Sequence, residues 1–188
     1  MAITQRRMTL DEFLALPEID EKPYLEFFDG VVTEKPLAKA KRSTVQDEFA
    51  WQLNRVARPS KLARVYPDLR ATFANASRIP DIAVYRRERI PRDPSGEVAD
   101  DFFDPPDIAI EIISPGQTVT AMTARCRWFV EHGVRIALLA RPRDRSVTRF
   151  VRGTEPVTLR GADRIDLDDM LPGFELTVQE LFESLTAD

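Results

Sequence analysis

The chain has 188 residues, 43% of them hydrophobic and 31% charged, with a net charge of −4. This fits one globular domain, residues 1–188, and argues against wholesale disorder or a strong overall basic bias toward nucleic acid. A single cysteine excludes an internal disulfide or a multi-cysteine zinc site, and no apolar run is long enough to cross a membrane, so the expectation is a soluble cytoplasmic protein.

Thr9-Leu10-Asp11-Glu12 matches a capping box and predicts a short helix that ends before Pro17. Asp29-Gly30, between Phe27-Phe28 and Val31-Val32, predicts a hairpin over Leu25 to Glu34, with Glu26 just ahead of its turn. A basic loop follows, with Lys35, Lys39, Lys41 and Arg42. Val45, Phe49, Leu53 and Val56 mark an amphipathic helix over Ser43 to Ala57, capped by Ser43 or Thr44. Arg64 to Ala74 reads as strand interrupted near Pro67-Asp68, and Ile82 to Tyr85 as an edge strand of the same sheet. Arg86 to Pro105 is polar loop. Thr118 to His132 predicts a second long helix, with Val119, Met122, Cys126, Phe129 and Val130 as its apolar stripe. Strands are expected at Val134 to Ala140, Ser146 to Val151 and Val157 to Leu159, and a closing helix at Thr177 to Leu185. The order predicts an α/β or α+β fold, a mixed sheet flanked by helices.

The stretch from Asp107 to Pro115 has the β-branched density of a strand buried on both faces, yet carries Glu111 at its middle. A buried carboxylate needs a cation, either a neighbouring guanidinium or a metal ion. Asp81 follows Pro80 at the mouth of another apolar strand, so the two acids could share one spot. Carboxylate oxygens are the ligands that Mg²⁺ prefers. The single histidine, His132, stands before Gly133 at a helix end and suits a helix C-terminus better than catalysis; a two-histidine metal site is excluded. No glycine-rich nucleotide fingerprint occurs.

Tyr24-Leu25-Glu26-Phe27-Phe28-Asp29-Gly30, Pro80-Asp81, Pro106 to Pro115 and Leu171-Pro172-Gly173-Phe174, in that order, resemble the bacterial Uma-type endonucleases of the restriction-endonuclease-like PD-(D/E)XK superfamily. The resemblance covers nearly the whole chain. It implies a central mixed sheet flanked by helices and metal-dependent hydrolysis of nucleic-acid phosphodiesters, DNA being the first expectation. It makes Asp81 the acid of the PD motif, Glu111 the acid of the (D/E)XK motif and Glu26 an added acid from the hairpin, together holding Mg²⁺ or Mn²⁺. The superfamily lysine two positions after Glu111 is replaced by Ile113, and the family's later lysine falls on Arg125. An aspartate and a histidine of the family pattern fall on Ala121 and Arg42.

Arginine stays protonated, so Arg125 can steady charge on a phosphate but cannot serve as a base. Three readings follow. The first is an Mg²⁺-dependent endonuclease with Asp81, Glu111, Glu26 and Arg125 as its site. The second is a catalytically degenerate relative with a binding role. The third is a structural homodimer through apolar strand edges near Val134 to Val151. For Glu26 and Arg125 the bland alternatives are a lysine partner beside the hairpin and a solvated helix flank, and for the basic loop an ordinary charged surface.

Overall fold

The computed structural model describes residues 7–186 and is built around β7 (Ile108–Ile112), all five of whose residues are buried. It lies inside a six-stranded sheet of order β10-β9-β8-β7-β6-β3, with β3 at Ala63–Pro67, β6 at Ile82–Arg86, β8 at Ile136–Arg141, β9 at Ser146–Val151 and β10 at Val157–Arg160. Only β7 and β8 run parallel, and helix α3 (Val119–Glu131) connects them; the sheet is therefore mixed.

Because side chains alternate along β7, its two faces differ in chemistry. Ile108, Ile110 and Ile112, with Ile82, Val84 and Leu138, pack against helices α2 (Ala40–Ser60) and α4 (Val178–Glu183) through Val45, Phe49, Leu53, Leu181 and Phe182. Ala109, Ala137, Leu139 and Phe150 face the other way, onto Met122, Cys126 and Phe129 of α3 and Ala71 and Phe73 of a second sheet. Glu111 falls on this second face.

The second sheet, of order β2-β1-β5-β4, was not foreseen. It comprises the expected hairpin of β1 (Leu25–Phe28) and β2 (Val31–Glu34), joined by β4 (Ala71–Phe73) and β5 (Ala76–Arg78). Phe13 of the capped helix α1 (Leu10–Leu14) stacks on Phe27 behind it. The predicted strand from Arg64 to Ala74 is split by a turn at Asp68, and Ala74 and Asn75 take φ of 48° and 56° to reverse the chain into β5. Ile79-Pro80-Asp81 then carries the chain from one sheet to the other. Strand β6 lies between β3 and β7 rather than at the edge, which β3 occupies.

Helix α2 begins before the expected cap. Lys39 at its N-cap makes no side-chain bond; instead Arg42 in the first turn donates to the Pro36 carbonyl at 3.0 Å and ties the entry in place. At the other end α2 includes Pro59, whose missing N–H costs the last turn one donor. Helix α3 is capped conventionally, by Thr118 Oγ1 accepting from the Ala121 amide. Thr118→Ala is expected to cost about 1 kcal/mol, read as a lower thermal midpoint by circular dichroism.

Candidate functional site

Glu26, Asp81 and Glu111 converge although they come from β1, the crossing before β6, and β7. All three are buried, at 7%, 2% and 3% exposure. Three buried carboxylates would repel strongly if left alone. The fold answers with cations from three other elements.

Arg125 comes from α3 on the strand face that carries Glu111. Its Nε donates to Glu111 Oε1 at 2.6 Å, while Nη1 and Nη2 grip both oxygens of Glu26 at 2.7 and 2.6 Å. The guanidinium also lies 5.5 Å over the Phe129 ring. Glu26 Oε1 accepts a further bond from the Ile79 amide at 2.6 Å. This is a charge-assisted fork, the strongest geometry a guanidinium can adopt.

Asp81 is held from the opposite side. Arg42 donates through Nε to Oδ2 at 3.1 Å and through Nη2 to Oδ1. Oδ2 also accepts the Ile112 amide at 2.8 Å, which fixes Asp81 against the end of β7. Lys35, just past β2, stands 3.2 Å from Asp81 Oδ1, donates to Asp68 Oδ1 at 2.6 Å and to the Ile79 carbonyl at 2.8 Å. Gln46 lies one helical turn after Arg42 and donates to Asp68 Oδ2 at 3.0 Å and the Asp81 carbonyl at 2.7 Å.

Among the described residues the sole oxygen of Glu26, Asp81 and Glu111 with no protein donor is Glu111 Oε2. The protonation states follow from this unequal sharing. Burial pushes the Glu111 carboxyl up to about 7; Arg125 opposes the rise and the Asp81 charge adds to it. Glu26 is also buried, but the doubly bonded Arg125 outweighs burial and holds its carboxyl below the usual range. Arg125 is held well above the ordinary arginine value, because Glu111 and Glu26 override its burial.

Each sequence-predicted site residue therefore lies in one cluster: Glu26, Asp81, Glu111 and Arg125. Arg42 joins them. The basic loop divides, with Lys35 and Arg42 turned inward and Lys39 and Lys41 exposed. Ala121 is exposed on α3, where its amide donates to the Thr118 cap. Sequence reasoning did not single out Asp68, Gln46 or Arg78. Gln46 was signalled by its place four residues after Arg42; Asp68 carried no such signal, since its role depends on the turn that brings it beside Lys35.

A mixed sheet between helices, with this cluster at one end of its inner strands β6 and β7, is the architecture of a solved nuclease-family structure. The crystal structure of a protein described as "a putative nuclease belonging to DUF820" from Anabaena variabilis matches it with a TM-score of 0.90 and 33% sequence identity, over 95% of this chain and 99% of that one. The Uma2 family, described as "Putative restriction endonuclease", matches residues 10–179, and the chain belongs to that family. No curated protein matches it. Among the described residues no helix is long and apolar enough to cross a membrane.

Proposed function

We propose that this chain binds nucleic acid, DNA foremost, on a nuclease fold whose carboxylate cluster is closed by arginine and does not hydrolyse the backbone. One observation carries the reading: every oxygen of Glu26 and Asp81, and one of Glu111, already accepts a hydrogen bond from a cation or a backbone amide.

A divalent ion, which the family resemblance implies, would compete with these donors. Mg²⁺ takes unengaged oxygens at about 2.0–2.1 Å in a near-octahedral shell. Here Lys35, Gln46, Arg42 and Arg125 already occupy oxygens of Asp68, Asp81, Glu26 and Glu111, and a divalent ion would have to displace them. Among the described residues no group of three histidine, cysteine, aspartate or glutamate side chains is placed to hold a metal. As arranged, the residues do not fit the ion. Nor can Arg125 take a proton from water as a lysine could.

A second reading, a Mg²⁺- or Mn²⁺-dependent phosphodiester hydrolase using Asp81, Glu111, Glu26 and Arg125, is favoured by one feature. Glu111 Oε2 is unclaimed, and burial pushes its carboxyl up to about 7.

Labelled duplex DNA and supercoiled plasmid separate the two. Wild type is expected to bind the duplex and leave the plasmid intact with Mg²⁺ or Mn²⁺. Metal-dependent nicking by wild type that Glu111→Ala removes would overturn the first reading in favour of the second.

A further inference from the structure

Among the described residues Arg78 is the cation of this cluster with no anion of its own. It ends β5, three residues before Asp81, and is 7% exposed. The β1–β5 register pairs Phe27 with Ser77, which sets Arg78 opposite Glu26 on the same face. Glu26 would be its natural partner, but both Glu26 oxygens belong to Arg125.

Arg78 instead lies against aromatic rings, 3.9 Å over Phe28 and 4.8 Å over Trp128. Those rings meet edge to face, with centroids 5.6 Å apart. Among the described residues the Arg78 side chain has no hydrogen bond and no ion pair, and its Nε is buried without a partner. Burial and then repulsion from Arg125 lower it to about 10, so it remains charged at neutral pH.

An arginine that only filled space would not need its Nε shut away unpaired, because a buried polar group without a partner is costly. A guanidinium braced by two aromatic rings keeps its planar fork, which matches two phosphate oxygens. We propose that Arg78, braced by Phe28 and Trp128 beside the closed carboxylate cluster, is the anchor for a backbone phosphate of the bound nucleic acid. This rests on the nucleic-acid reading above and adds the atom group that receives the phosphate.

The test is fluorescence anisotropy of a short fluorescein-labelled duplex DNA over a salt series, with wild type, Arg78→Met and Arg78→Lys. Each neutralised phosphate contributes about 0.9 to the slope of log affinity against log salt. Arg78→Met is expected to bind more weakly, with a slope shallower by about 0.9. Arg78→Lys is expected to keep the slope, since it keeps the charge, and to lose affinity with the fork. A purely packing role would not move the slope. If Arg78→Met is folded by circular dichroism and its slope equals that of wild type, the anchor is overturned while the nucleic-acid reading stands. Should Arg78→Met not fold, Arg78→Lys decides: weaker binding at the wild-type slope supports the anchor, and binding equal to wild type at every salt concentration overturns it. A wild type that does not bind the duplex overturns the nucleic-acid reading, and the anchor with it.

Discussion

Arg125→Ala is expected to destabilise the fold by about 3–5 kcal/mol, the range for removing one member of a buried ion pair. The side chain donates to Glu26 through two nitrogens and to Glu111 through a third. Its loss leaves two carboxylates buried at 7% and 3% exposure with much of their positive charge gone. In a chain of this size that corresponds to a thermal midpoint lower by roughly 10 °C.

The loss depends on pH, because both acids titrate differently once Arg125 is gone. In wild type the Glu111 carboxyl stands at about 7 against an ordinary 4.5. Its contribution to stability is fully present below 4.5 and is lost as pH rises through about 7. Glu26 is shifted downward, so its contribution is present above 4.5 and lost as pH falls through its lowered value. Removing Arg125 takes away the main cation on both, and both shift upward. The deficit of the variant is therefore largest on the alkaline side of neutrality and shrinks toward mildly acidic pH, where protonation discharges the orphaned acids. Thermal melts of both proteins across that window check it. A deficit that does not vary with pH would show that Arg125 contributes by packing, along Phe129, and not by charge.

The residues that chemistry singles out in the sequence are the ones the fold gathers. Glu111 was conspicuous because an isoleucine-rich strand tolerates no unpartnered acid, and Asp81 because Pro80 marks a strand mouth. What the sequence left open was the partner. A guanidinium and a metal ion both answer a buried carboxylate, and nothing local to Glu111 chooses between them. The choice is made by α3, which lays Arg125 back over the strand that precedes it, fourteen positions from Glu111. The periodicity of α3 was legible; Arg125 flanks its apolar stripe, and that position alone equally suits solvent.

The second sheet was harder to read for a different reason. Ala74-Asn75 lacks the glycine that usually announces a two-residue hairpin turn, and β4 and β5 have three residues each, too few for alternation to show. Arg78 stands in the sequence just ahead of Pro80-Asp81, at the mouth of the strand predicted from Ile82. In the structure it is the last residue of β5, in the other sheet, and Ile79-Pro80-Asp81 is the crossing. That crossing brings Glu26 and Asp81 together: the Ile79 amide bonds Glu26 on one side, and its carbonyl takes Lys35 on the other.

Arg125→Lys is expected to give the protein a metal-dependent nicking activity that wild type lacks, on the order of 10²–10⁴-fold above the wild-type background, the usual range for restored acid–base help. Arginine spans Glu26 and Glu111 at once because its three nitrogens are spread along a rigid plane. A lysine ammonium is a point on a flexible stem and cannot hold the same three oxygens at those distances, so at least one carboxylate is released. It also shifts its pKa readily when buried, which arginine does not. Arg42 and Lys35 would remain on Asp81, so the change tests whether the Glu26–Glu111 side alone keeps the site shut. Calorimetric titration with Mn²⁺ gives a readout independent of cleavage: the lysine variant should take up the ion, and a second change, Glu111→Ala, should abolish both uptake and nicking. A lysine variant that binds no Mn²⁺ and nicks no plasmid would place the closure elsewhere, on the Arg42–Asp81 side, where both aspartate oxygens are held by a residue that this substitution leaves untouched.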